Sequence, residues 1–393
     1  MAKFFFSSSF LLFLGNWIGQ VGLNWFVLTT YHNAVYLGLV NFCRLIPILL
    51  LSVWAGSIAD KYDKGLLLRI TITSSFIITA LLCLLTYSLN SIPIFIILLY
   101  ATFRGILSAV ETPVRQAVLP DLSSKISTTQ AVSFHSFIIN ICRSIGPAIA
   151  GGLIAVYHTP TTFLAQAVCY FIAAVLCIPI HFEVILSQKE GKALPLKVVL
   201  NYFKSNLEGS QIFITSIIIM ATGFSYTTVL PVLTNHIFPG QSQVFGIAMT
   251  FCAIGGIVAT IVLPSILKHL STVKMYYLSS ILFGMALLGI IIHHLVVMFI
   301  CITLIGLFSQ WARTTNRVYF QHSVKDCDRG KVLSIIMMDR GMIPLGSLIM
   351  SFFADMFGIL TTFTIMGIST ISISIIFYII QRISNMEESN NES

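Results

Sequence analysis

Apolar stretches of bilayer-spanning length recur along almost the whole chain, parted by short polar connections. A spanning helix needs about 20 mostly apolar residues to cross about 30 Å of hydrocarbon. Only 9% of the residues are charged, against roughly a quarter in a soluble domain, so lipid is the solvent of most of this chain. Spans are expected at about 8–30, 35–58, 68–89, 92–112, 130–156, 160–181, 209–233, 243–267, 274–292, 295–317, 331–354 and 360–381.

The connections carry a second signal. Those at 31–34, 90–93, 157–161, 235–243, 293–294 and 357–360 hold no Lys or Arg. The opposite set holds Lys3, Lys61, Lys64, Arg69, Lys125, Lys189, Lys192, Lys268, Lys325 and Arg382, among others. Cytoplasmic loops concentrate positive charge, so this alternation predicts twelve spans with both termini in the cytoplasm. It also accounts for most of the net charge of +8. Nucleic acid is therefore not an expected partner, because the loops are too short to build a surface for it. Seven of the eight cysteines fall inside apolar runs and none forms a CxxC pair, so they read as small buried hydrophobes. The first run passes Trp17 and Trp25 without a small-residue cleavage site, and is expected to be an uncleaved first span.

The longest polar connection, 182–208, divides the chain. The expected fold is an all-α membrane protein: a six-helix bundle at 1–181, a cytoplasmic loop at 182–208, a second six-helix bundle at 209–382, and a polar, acidic, disordered tail at 383–393. The bundles echo each other, because Glu111 and Arg115 end helix 4 as Arg313 and Arg317 end helix 10, at the same spacing.

Between the second and third spans lies a short charged hairpin, with Gly56, Asp60, Lys61, Asp63, Lys64 and Arg69. This resembles the signature loop of the major facilitator superfamily, except that Gly65 replaces a basic residue and Asp63 stands where many members have glycine. Thr112 to Leu122, the glycine-proline segment from Arg143 to Gly152, Arg329 to Val332 and Pro344 to Gly358 resemble one branch, the drug and siderophore exporters. That branch includes the enterobactin exporter and macrolide efflux proteins. The resemblance implies two parallel six-helix repeats with a substrate site near the midplane. It gives Gly56, Asp60, Lys61 and Lys64 the role of a conformational latch, the alternative being a solvated positive loop. It marks Gly146, Pro147, Gly151 and Gly152 as the helix 5 motif.

Charged residues inside spans cost about 3 kcal/mol or more when they face lipid. Arg44, Arg104, Arg143, Arg313, Arg317 and Arg340 should therefore face an interior or a cavity. They outnumber Glu111, Asp339 and Asp355, and an excess of buried arginine suits an anionic substrate, carboxylates in particular. The alternative is structural pairing, for example Arg115 with Glu111. Asn16, Gln20 and Asn24 share one face of helix 1, and they join Arg44, Arg104, Asn140, Arg143, Tyr226, Gln310, Arg313 and Arg317 as candidate cavity residues. Proton coupling needs a group that can lose its charge in a low-dielectric site. Asp339 is the first candidate, Glu111 the second and His135 the third.

No Walker A sequence is present, so ATP is not the direct energy source. No cofactor, metal or catalytic constellation is expected. The expected activity is proton-linked antiport by alternating access in the bacterial cytoplasmic membrane, exporting a small anionic metabolite such as a carboxylate siderophore. Its partners would be that substrate, protons and membrane lipids, and the protein would act as a monomer. The alternatives are multidrug or macrolide efflux, siderophore import and lysophospholipid transport.

Overall fold

The computed structural model describes residues 2–89, 92–119, 122, 128–180, 196–324, 336, 339 and 341–391; the side chains of 52–61, 128–129, 196–200 and 384–391 are not part of the description. Helices dominate it, as they must where no water can satisfy backbone groups. In order they are α1 Ala2–Tyr31, α2 Ala34–Lys61, α3 Lys64–Ser88, α4 Ile94–Val118, α5 Thr128–Tyr157, α6 Pro160–Cys177, α7 Leu196–Ser205, α8 Leu207–Thr222, α9 Tyr226–Ile237, α10 Ser242–Ile266, α11 Thr272–Gly289, α12 Leu295–Ser323, α13 Met342–Phe357 and α14 Ile359–Asn391.

Among the described residues, 11 helical stretches are long and apolar enough to cross a membrane, and α13 is a shorter apolar helix. The expected span at 331–354 corresponds to α13, with its first residues outside the described set. The expected seventh span is one apolar stretch built from two helices, α8 and α9. At the break, the amides of Gly223 and Phe224 both bond the Ile219 carbonyl, at 2.8 and 3.1 Å. This doubled bond ends the regular ladder, and Phe224 and Tyr226 emerge on either side of Ser225.

The chain forms two compact units, Met1–Gly191 with Leu230–Thr250, and Lys192–Val229 with Phe251–Ser393. In the first unit, Phe5, Leu12, Val114, Cys142 and Tyr170 belong to one core cluster, and Leu23, Val27, Leu37, Tyr100 and Phe163 to another. α4 approaches α2 so closely at Gly105 that a Cβ there would lie 2.3 Å from the Arg44 carbonyl oxygen. The second unit has a core around Ile212, Tyr276, Tyr277, Ala312 and Phe320. The short helix α7 lies inside the expected central loop. It is fastened to this unit by Phe203 stacked on Phe213 at 4.9 Å and by a Tyr202–Ser323 hydroxyl contact of 2.7 Å.

Candidate functional site

Polar and charged side chains inside the first unit gather around α4. Arg104 is 4% exposed and donates to Ser75 Oγ on α3 at 2.7 Å, Tyr170 OH on α6 at 2.9 Å and Asn16 Oδ1 on α1 at 3.4 Å. Its guanidinium also lies 5.0 Å from the Tyr170 ring centre. Gln166 donates to the Tyr170 hydroxyl and accepts from Tyr100, which extends the network. Ser75, Gln166 and Tyr170 were not legible as site residues, since each is an ordinary polar residue in an apolar run until the fold brings Arg104 to it.

Two to three turns further along α4, Glu111 and Arg115 form a buried i,i+4 pair at 2.8 Å. Arg115 also donates to Ser9 Oγ at 2.7 Å, and its guanidinium faces the rings of Phe5 and Phe13 at 5.7 and 6.0 Å. Its Nη2 has no hydrogen-bond partner among the described residues. The pairing of Arg115 with Glu111, open in the sequence, is thus formed.

Between these two arginines lies a cavity of about 240 Å³. Its wall includes Phe13 and Asn16 from α1, Arg44 from α2, Arg104, Glu111 and Arg115 from α4, and His135 from α5. Arg44 differs from its neighbours: among the described residues it makes no hydrogen bond or ion pair. The cavity thus presents three arginines and one carboxylate, and that carboxylate is already engaged. Such a space fits one planar anionic group, which an arginine fork recognises by two parallel hydrogen bonds.

The other candidates of this unit divide. Asn24 is buried and accepts from Asn41 at 3.0 Å, which makes it a strut between α1 and α2. Gln20 is half-buried on the same helix. Arg143 donates to Asn140 Oδ1 at 3.0 Å, while its buried Nε has no partner among the described residues. In the helix 5 motif, a Cβ on Gly146 would meet Trp17, and one on Gly151 would meet the backbone of Gly246 beside Pro147. Gly152 faces open space. A wider crevice of about 1210 Å³ between α1 and α5 is mostly apolar, with Phe6, Phe10, Phe134 and Phe137 in its wall.

Of the latch residues, Gly56, Asp60 and Lys61 lie in α2 where side chains fall outside the described set. Lys64 donates to the Ala117 carbonyl at 3.0 Å, near the C-terminus of α4, where the helix dipole favours a cation. Asp63 caps α3 by accepting from the Gly65 and Leu66 amides. The glycine at 65 has a packing reason, since a Cβ would lie 2.4 Å from the Ile180 carbonyl oxygen.

The second unit holds its own polar group. Arg313 donates to Gln310 Oε1 at 2.8 Å and lies 4.9 Å from the Phe224 ring centre, beside the α8–α9 break. Tyr226 OH contacts Cys252 Sγ at 3.0 Å. Asp339 is buried and accepts from Ser216 Oγ at 2.7 Å and Asn316 Nδ2 at 3.4 Å. Arg317 is half-buried and, among the described residues, makes no ion pair with Asp339 or any other carboxylate. Arg340 lies outside the described residues. No group of residues that could hold a metal occurs among those described.

Residues 3–393 match the family model described as transmembrane secretion effector. The chain belongs to that family, within the major facilitator superfamily. It is 74% identical over 394 residues to a staphyloferrin A transporter of Staphylococcus aureus, covering 100% of this chain and 99% of that one. It is 20% identical over 379 residues to macrolide efflux protein A of Streptococcus pyogenes, covering 94% and 93%. Among solved structures it resembles the nucleoside transporter NupG, with a TM-score of 0.74, 16% identity and 96% and 98% of the chains covered. It also resembles a bacterial homologue of the lysosomal transporter Spinster, with a TM-score of 0.74, 10% identity and coverage of 95% and 96%. This family member is a multi-pass membrane transporter and not an enzyme.

Proposed function

We propose that this transporter exports a carboxylate siderophore across the bacterial cytoplasmic membrane by proton-linked alternating access, as a monomer with both termini cytoplasmic. Arg44 carries this reading. A guanidinium that makes no hydrogen bond or ion pair among the described residues, in a cavity beside the hydrogen-bonded Arg104, is a cation whose counter-charge comes from the cargo. The name of the 74% identical relative supports staphyloferrin A as the siderophore, and the family description supports secretion. For proton linkage, Glu111 is occupied by Arg115, whereas among the described residues Asp339 accepts from the neutral donors Ser216 and Asn316 and makes no ion pair. The wide apolar crevice between α1 and α5 supports a second reading, efflux of larger apolar compounds such as macrolides.

The test is transport of staphyloferrin A in proteoliposomes and everted vesicles. Wild-type protein should transport it in a protonophore-sensitive manner. Arg44→Gln should lower transport by about tenfold or more, the loss of one charge-assisted contact worth about 2 kcal/mol. Unchanged transport by R44Q would remove Arg44 from the site, and macrolide transport without staphyloferrin A transport would favour the second reading.

A further inference from the structure

His135 is a buried titratable group that the transport scheme above leaves without a task. It is 5% exposed, sits on α5 in the wall of the 240 Å³ cavity, and its Nδ1 has no hydrogen-bond partner among the described residues. Its ring stacks on Phe5 at 6.0 Å and meets Phe13 edge-on at 5.5 Å, both on α1, which also brings Asn16 to the cavity wall. α4 brings Arg104, Glu111 and Arg115 to the same cavity, and α2 brings Arg44. A proton on His135 would therefore add a fourth cation to a wall with one carboxylate, and that carboxylate is already paired. Without an added anion this wall disfavours such a proton, because like charges in a low-dielectric space repel and Glu111 can neutralise only one of them. An anion beside Arg44 reverses the balance.

We propose that His135 takes up a proton when an anionic substrate enters this cavity, so that the site binds anion and proton together. The proton comes from water reaching the cavity and forms an N–H bond at Nδ1; that bond breaks and the proton returns to water when the anion leaves. Linkage makes the effect reciprocal: the anion favours the protonated ring, and the protonated ring tightens the anion. The inference rests on the reading of this cavity as the substrate site. It assigns to the N-terminal unit a proton that Asp339 does not carry.

Isothermal titration of the full-length protein with staphyloferrin A, in two buffers of different ionisation enthalpy, counts the protons taken up on binding. At about pH 6.5, near the ordinary midpoint of histidine, wild-type protein should take up a substantial fraction of one proton, and affinity should strengthen as pH falls. His135→Gln should bind with that proton uptake lost and with the pH dependence flattened. His135→Phe, which suits the aromatic cage of Phe5 and Phe13, gives the same readout if the glutamine variant folds poorly. Binding by wild type without proton uptake, or unchanged uptake in either variant, overturns the inference while leaving the cavity as the substrate site. Failure of wild type to bind staphyloferrin A overturns the substrate reading and this inference with it.

Discussion

Arg44 and Arg104 are the same residue type, both in apolar helices, both in the wall of one cavity. They differ in what holds them. Arg104 ties α1, α3 and α6 to α4 through three neutral acceptors, so its removal leaves Ser75 and Tyr170 short of a buried donor. Arg104→Gln should therefore destabilise the protein by roughly 2–3 kcal/mol, seen as a clear fall in Tm in detergent. Arg44→Gln should leave Tm close to wild type while substrate transport falls. If the two variants lost stability equally, the distinction between strut and ligand group would be wrong. From the sequence both were simply buried cations that had to avoid lipid. Which of them has spare hydrogen bonds depends on residues 29 to 88 positions away, and no local pattern announces them.

Elements pack here through small residues, because lipid removes the hydrophobic drive between helices and leaves close contact to supply it. The α2–α4 contact is the sharpest case. Gly105→Val would force a side chain into the Arg44 backbone carbonyl and push apart the two helices that place Arg44 and Arg104. Overpacking of this kind costs about 1–3 kcal/mol, so Tm and staphyloferrin A affinity should fall together. Gly152→Ala should change neither, since nothing lies within 4 Å of the added methyl. The glycine-proline segment of α5 was legible as a motif, yet only the packing separates Gly146 and Gly151, which face close neighbours, from Gly152, which does not. The break between α8 and α9 falls where Ile217 to Met220 gives way to Thr222, Gly223, Ser225, Tyr226, Thr227 and Thr228, a change the span count passes over, and there the Ile219 carbonyl accepts from two amides.

At the scale of the whole molecule, the charge alternation of the connections predicts which of them share a side of the membrane. Single cysteines replacing Lys61 and Lys192, in a cysteine-free background, should label from the cytoplasmic side only, and one replacing His294 from the opposite side only. Labelling of 61 and 192 from opposite sides would break the twelve-span topology. The number and order of the apolar runs, the charge alternation of the loops and the presence of cations inside the runs were determined by the sequence itself. Hydrocarbon imposes these through residue type and run length, which need no knowledge of neighbours. Only the tertiary structure decided that Arg104 is held by Ser75, Tyr170 and Asn16 while Arg44 makes no hydrogen bond or ion pair among the described residues, that Glu111 is taken by Arg115, that Ser216 and Asn316 donate to Asp339, and that Phe5 and Phe13 pack on the His135 ring. Those outcomes depend on distances of a few ångströms between helices far apart in the chain. Coulombic and hydrogen-bond energies in a low-dielectric interior are decided at that range.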